Sequence, residues 1–251
     1  MIFIKSIFFD DKINEKISEN KYDSYEVNIP IIKNMINNKE KIEISNEVTF
    51  FVGENGSGKS TLLEAIAIAY GFNPEGGTKN FNFSTKDSHS NLFDHLMLSK
   101  SFKLSKDGFF YRAESFYNVS TEIDNLDNEF PLLDYYGGKS LHDRSHGEGL
   151  LELIKNRFLG NGVYILDEPE ASLSPTGLMQ LLCLIKEFVT NDSQFIISTH
   201  SPILMSYPNS TIYELKEGLI RKTNLKETDH YIITRAFMEN SEVMIKNLFS
   251  E

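Results

Sequence analysis

The sequence holds a single cysteine, Cys183, among its 251 residues. One thiol builds no disulfide scaffold and suits a reducing compartment. No apolar run approaches the ~18 residues that a membrane-spanning helix needs. The N-terminal apolar stretch, residues 2–9, is short and carries Lys5, and Asp10 and Asp11 follow at once, which is the wrong charge order for a secretory signal. Arginine is scarce: Arg112, Arg144, Arg157, Arg221 and Arg235 are all there are. Basic charge as a whole is outweighed, with 25 Lys and Arg against 36 Asp and Glu, a net of −11. Average electrostatics of that sign repels polyanions, so a generic nucleic-acid binder is excluded, though a local basic groove is not. What is present is apolar material: 40% hydrophobic and 12% aromatic residues exclude a disordered chain. The length matches one large domain that closes a core without staples. A soluble, cytoplasmic protein is expected.

Hydrophobic patterning alternates between strand and helix. Residues 48–52 (VTFFV), 163–166 (VYIL), 195–198 and 211–215 read as short buried strands, and 109–116 as a further one. Leu62, Leu63, Ile66, Ala69 and Tyr70 mark a helix face that Gly71 and Pro74 end. Phe116, Val119, Ile123 and Leu126 recur at helical spacing, residues 178–189 follow Pro175 as a helix, and 229–249 read as one or two helices. This alternation predicts an α/β fold with a mostly parallel sheet flanked by helices. The first 45 residues are expected as an antiparallel flank, and 72–108 as a surface insertion. Residues 34–41 read as a loop or a polar helix face. Cys183, within Leu181-Leu182-Cys183-Leu184, reads as a small core residue.

Three motifs carry chemistry. Gly53-Glu54-Asn55-Gly56-Ser57-Gly58-Lys59-Ser60, followed by Thr61, matches G-x-x-x-x-G-K-[ST] between a strand and a helix. Glycines let successive backbone N–H groups turn inward on an anion, and the helix start adds its positive dipole end. Lys59 is placed to reach the β- and γ-phosphates of a nucleotide and Ser60 to ligate Mg²⁺. Val163-Tyr164-Ile165-Leu166-Asp167-Glu168-Pro169 delivers two carboxylates at a strand end. Strand neighbours point opposite ways, so the two acids can do different work. Asp167 would hold Mg²⁺, directly or through water, and Glu168 would polarise an attacking water. Ser198-Thr199-His200-Ser201-Pro202 places His200 at another strand end, where it can contact a γ-phosphate and orient water and Glu168.

In this order the motifs resemble the ABC-type ATPases. The resemblance implies a P-loop NTPase fold with an ABC-type head over 1–251, a helical insertion lobe at about 72–150, and ATP and Mg²⁺ as ligands. It also implies a signature, usually Leu-Ser-Gly-Gly-Gln, that caps the partner subunit's ATP in a head-to-tail dimer. Ser145-His146-Gly147-Glu148-Gly149 stands in that place, keeping Ser145 and Gly147, and Glu148 puts a negative charge near the implied γ-phosphate. The family's Gln near Mg²⁺ is missing from Tyr111-Arg112-Ala113-Glu114-Ser115-Phe116, and Glu114 is its stand-in. Tyr22 and Tyr25 are candidates to stack on adenine.

The run Glu168-Pro169-Glu170-Ala171-Ser172-Leu173-Ser174-Pro175 and Thr199-His200-Ser201-Pro202 look like the RecF, SMC and OLD-like branch, and the chain as a whole like small standalone bacterial AAA-type ATPases. That branch implies an effector protein or nucleic-acid complex as partner, in DNA repair or phage defence. The proline-ended run and the missing Gln argue against a transporter energy subunit, which would use the same chemistry. A P-loop kinase needs an Arg-bearing lid that the scattered arginines do not suggest, whereas a slow nucleotide-gated switch stays open. The span from Lys59 to Ser145 is too short for long coiled-coil arms, and little chain follows His200 for an appended nuclease. Phe81, Phe83, Phe109 and Phe110 could stack on bases. His142 and His146 have the spacing of a helical metal pair but lack nearby cysteines. The acids Glu122, Asp124, Asp127 and Glu129 read as a solvated run.

Overall fold

The computed structural model describes residues 1–19, 25–79, 91–127 and 131–250. Tyr22, Phe81, Phe83 and Glu129 therefore lie outside the described residues. Six strands form the main sheet: β3 (Val48–Gly53), β5 (Asp107–Arg112), β6 (Gly162–Asp167), β7 (Gln194–Ser198), β8 (Thr211–Lys216) and β9 (Leu219–Thr223), in the order β5-β6-β7-β3-β8-β9. All neighbours are parallel except β8 and β9, which form a hairpin through Glu217 and Gly218. Those two turn residues have φ of 53° and 76°, the positive pair that a tight hairpin of matching twist requires. Strands β3, β6 and β7 are buried along their whole length, which explains why they read as continuous apolar runs and not as alternations.

A second sheet joins β1 (Ile4–Phe9) to β2 (Ile42–Glu43) and to β4 (Leu96–Lys100), both antiparallel. Helices α1 (Lys12–Ser18) and α2 (Pro30–Asn38) belong to this flank. Within the stretch at 34–41, residues 34–38 are the second half of α2, whose Met35 and Ile36 are buried, and Lys39 caps it in the left-handed conformation. Between the two sheets lies α3 (Lys59–Tyr70), apolar on nearly every side. A helix apolar all round is one with no solvent face. Gly71, at φ 107°, stops it by donating its N–H to the carbonyls of Ala67 and Ile68. The flank is fastened to the main sheet by Gln194. Its buried side chain accepts from the N–H groups of Phe3 and Ile4 at 2.9 and 2.8 Å and donates to the Ile4 carbonyl at 2.9 Å.

The opposite face of the main sheet is covered by α4 (Phe116–Asp127), α5 (His146–Arg157), α6 (Pro175–Thr190) and the short α7 (Pro202–Met205). Helices α8 (Asp229–Glu239) and α9 (Ser241–Leu248) close the chain and bury no side chain. Three expectations change. The strand expected at 109–116 stops at Arg112, because Ala113–Ser115 turns as 3₁₀ helix and Phe116 already faces the core from α4. Cys183 is exposed, since the inward face of α6 is Leu178, Leu181, Ile185 and Phe188, and position 183 falls on the far side of that spacing. Phe109 and Phe110 are core residues at 1% and 0% exposure, closed to bases.

Candidate nucleotide site

The parallel register sets the C-terminal ends of four strands side by side: Asp167 pairs with Arg112 on one flank and with Ser198 on the other, and β3 ends at Gly53. Ligand sites of open α/β sheets form along this edge. The loop from Gly53 to Gly58 crosses it and enters α3. Gly53, at φ 149°, lies so close to the Leu215 carbonyl that no Cβ fits. Gly58 caps α3 at φ 97°, and a Cβ there would meet the Ile29 methyl at 2.9 Å. Both positions thus need glycine for space as well as for backbone conformation. The Ser57 hydroxyl is buried without a partner among the described residues.

Lys59 is 3% exposed. Its ammonium donates to the Gly53 and Glu54 carbonyls at 2.9 and 3.1 Å, folding back over the mouth of the loop. Burial lowers its pKa, while the carboxylates of Glu168, Asp167, Glu170 and Glu54 oppose that shift. Ser60 Oγ donates to Asp167 Oδ1 at 3.1 Å, and Ser198 Oγ donates to the same oxygen. Burial raises the Asp167 pKa, partly offset by those hydroxyls and by Arg112. A hydroxyl and a carboxylate converging at the loop are the hard oxygen donors that Mg²⁺ takes, with water and phosphate oxygens completing its shell. The donor set fits that ion.

Glu168 sits at φ 49°, a left-handed conformation rare for a residue with a Cβ, and it turns the chain so that its side chain leaves Asp167. Its N–H is held by Ser198, at 3.2 Å to the carbonyl and 3.1 Å to Oγ. Its carboxylate comes within 3.5 Å of His200 Nε2. The His200 backbone N–H donates to Glu170 Oε1, and the ring Nδ1 lies 2.8 Å from His230 Nε2. The His200 pKa is lowered, first by burial, then by Lys59 and His230. Asn55, Gly56, Gly58, Lys59, Ser60, Thr61 and Glu168 line one cavity together with Tyr25, which is 74% exposed.

The remaining candidates lie differently. Glu114 is 83% exposed and reaches Arg112 Nη2 at 3.6 Å. It is Arg112 that stands beside Asp167, with Nε at 3.9 Å, while its Nη1 donates to Glu64 at 2.7 Å. Ser145 caps α5 on an exposed surface. Its hydroxyl donates to Glu148 Oε2 at 2.8 Å and accepts from the Glu148 N–H at 3.3 Å, a closed capping box. A Cβ on Gly147 would lie 2.5 Å from the Ser172 carbonyl, so this glycine lets α5 start against the turn that follows Glu168. His142 Nε2 bonds the Thr121 hydroxyl at 3.0 Å.

Family comparisons match both halves of this site. The profile described as "AAA domain" matches residues 31–107, which include the phosphate loop. A second, described as "AAA domain, putative AbiEii toxin, Type IV TA system", matches residues 149–206, which include Asp167, Glu168 and His200. The chain's resemblance to the ABC-type ATPases rests on these two AAA-domain matches and on the relatives that follow. Among curated relatives, a cobalt import ATP-binding protein of Salmonella typhimurium is 27% identical over 191 residues, covering 69% of each chain. A nucleoside import ATP-binding protein of Lactococcus lactis is 23% identical over 65% of this chain and 35% of its own. Among solved structures, the SMC head domain from Thermotoga maritima aligns over 74% of this chain and 92% of its own, at 19% identity and a TM-score of 0.38. CbiO1 of Clostridium perfringens, described as part of an ABC transporter complex, aligns over 82% and 89%, at 20% identity and a TM-score of 0.42. No helix among the described residues is long and apolar enough to cross a membrane.

Proposed function

We propose that this chain binds ATP with Mg²⁺ and hydrolyses it, closing head to tail on a second copy and driving a partner complex in DNA repair or phage defence. The observation that carries this is the convergence of Lys59, Ser60, Asp167, Glu168 and His200 on one sheet edge around the phosphate loop. The loop's N–H groups and Lys59 hold the phosphates. Ser60 and Asp167 hold the metal, which supplies charge neutralisation at the phosphate oxygens. Glu168 accepts a proton from the attacking water, and His200 directs its Nε2 at that water and the terminal phosphate. Tyr25 offers its ring to the base. Ser145 and the α5 N-terminus of one copy meet the terminal phosphate held by the other, which requires the Ser145–Glu148 bond to open.

Glu168→Gln keeps the shape of the site and removes the base. Light scattering is expected to show it trapped as an ATP-bound dimer, with turnover reduced ~100-fold or more. A monomer at saturating Mg-ATP sinks the dimer, and undiminished turnover sinks the role of Glu168. The import proteins among the relatives favour a second reading, the energy subunit of a transporter. Co-purification with a membrane-spanning protein would establish it in place of the first.

A further inference from the structure

His230 takes no part in the chemistry assigned above, yet it is bonded directly to His200. It lies in the first turn of α8, and that turn is clamped. The buried Thr228 caps it, accepting from the Tyr231 N–H at 3.3 Å and donating to the Leu225 carbonyl at 2.8 Å. Asp229 pairs with Lys216 at 2.6 Å, and its N–H donates to Glu214 Oε1 at 3.3 Å. The rest of α8 turns Ile232, Ile233 and Met238 to solvent. His230 is therefore carried on the fixed end of an otherwise exposed helix. It borders a cavity of about 600 Å³ shared with Gly53, Glu54 and Ser57 of the phosphate loop.

The ring-to-ring bond at 2.8 Å leaves a choice of which histidine donates. The outer nitrogen of His200 decides it. His200 Nε2 faces the Glu168 carboxylate at 3.5 Å. An N–H there is attracted, whereas a lone pair is repelled. A His200 that carries its proton on Nε2 must accept at Nδ1, so His230 donates from Nε2. His230 Nδ1, buried without a partner among the described residues, is then a bare acceptor. Either arrangement leaves one outer N–H without a hydrogen bond among the described residues, but the one with the proton on His200 Nε2 sets that N–H toward the Glu168 carboxylate, whereas the opposite one sets a lone pair there. The carboxylate selects the direction.

We propose that His230 is a positioning residue for the hydrolytic site: it donates from Nε2 to His200 Nδ1 and so holds the His200 ring with its Nε2–H turned toward Glu168 and the terminal phosphate. The orientation of a general-base partner through its second nitrogen is a recurrent device, and a wrong tautomer disables an otherwise intact site. Burial and the nearby Lys59 ammonium favour a neutral His200, the state in which tautomer choice matters. The proposal rests on the ATPase reading for its effect on turnover, but not for its effect on the ring.

The test uses the full chain with His230→Ala and His230→Gln. The Gln side-chain amide can place an N–H near the position of the imidazole Nε2–H. Steady-state ATPase with Mg²⁺ is expected to show kcat down ~10–100-fold in the Ala variant with KM for ATP within ~2-fold, and most of the loss recovered in the Gln variant. Nitrogen-15 imidazole NMR is expected to report His200 as the Nε2–H tautomer in the wild type and as a mixture in the Ala variant. Equal losses in both variants with the tautomer unmoved would overturn the proposal, as would a full-rate Ala variant. A wild-type chain without turnover would defeat the ATPase reading alone, because the NMR comparison still decides whether His230 holds the ring. Thermal melts of both variants identify misfolding, in which case the His200 tautomer in the Gln variant decides.

Discussion

Lys59 and Ser145 are both assigned to the terminal phosphate, yet one chain builds their surroundings in opposite ways. Lys59 is 3% exposed, bonded to two loop carbonyls and faced by the carboxylates of Glu168, Asp167, Glu170 and Glu54. Ser145 is exposed, and its only side-chain partner among the described residues is Glu148, which is exposed as well. The first surface is completed by folding. The second is closed on itself, for the α5 N-terminus satisfies its own N–H groups with a carboxylate of its own chain, and the proposed function needs that carboxylate displaced by a docking copy. Under the proposed function, a site divided in this way would bind nucleotide in one copy and read its terminal phosphate with another.

The largest effect that tests this division belongs to the folded surface. Lys59→Ala removes a charge-assisted donor whose alternative partners are backbone carbonyls, so the fold survives. ATP affinity by calorimetry is expected to fall ~100-fold, the value of about 2–3 kcal/mol for a bond to a charged group. Ser145→Ala under the same conditions is expected to leave affinity in the monomer unchanged. Equal losses in the two variants would break the comparison, for Ser145 would then act within its own chain.

Asp167 gives the next effect, with opposite signs for stability and activity. Burial raises its pKa above the unfolded value. Such a group contributes stability at acid pH, and that contribution is lost as pH rises through the folded pKa. Above that folded pKa the chain holds an ionised carboxylate that it would be more stable without. Asp167→Asn is expected to raise the melting temperature without nucleotide by a few degrees, at ~2–4 °C per kcal/mol for a chain of this size, while abolishing Mg²⁺-dependent turnover. The gain should shrink as pH is lowered, since the wild-type carboxyl then protonates. Calorimetric melts across pH check both signs, and a destabilised Asn variant at neutral pH would show that the bonds from Ser60, Ser198 and Arg112 outweigh the burial.

The same contrast explains which parts of the site are legible in the sequence. The phosphate loop is legible because its chemistry is contiguous: glycines, Lys59 and Ser60 act within one turn. Asp167, Glu168 and His200 are legible as polar residues closing apolar strands. Arg112 is not, because its place beside Asp167 depends on the register of β5 against β6, which no single segment encodes. The Ser198 hydroxyl is the same case across β6 and β7. Glu114 stands near the expected strand end, yet the chain turns at Ala113 and leaves it 83% exposed. Cys183 has apolar letters around it, but only the helical spacing of α6 decides its face. His230 lies in a C-terminal stretch outside the phosphate-site motifs, and only the packing of α8 brings it to His200.

The smallest effect belongs to the exposed surface. Glu148 holds Ser145 by hydrogen bonds, which keep its carboxyl below the usual pKa, so the charge persists into mildly acid solution. A partner's ATP arriving at Ser145 must displace that carboxylate and then sit beside it. Glu148→Gln removes the repulsion while keeping a side chain that can close the capping box, so α5 stays capped. Like charges at a wet surface repel weakly, so the ATP-dependent dimer of the variant is expected to tighten only a few-fold. The wild-type dimer should approach the variant as salt screens the repulsion. Analytical ultracentrifugation in the Glu168→Gln background, at low and high salt, separates the outcomes. Tightening that salt abolishes places Glu148 against the nucleotide of the partner. No change at either salt removes Ser145 and its helix from the interface and leaves them as an ordinary helix start.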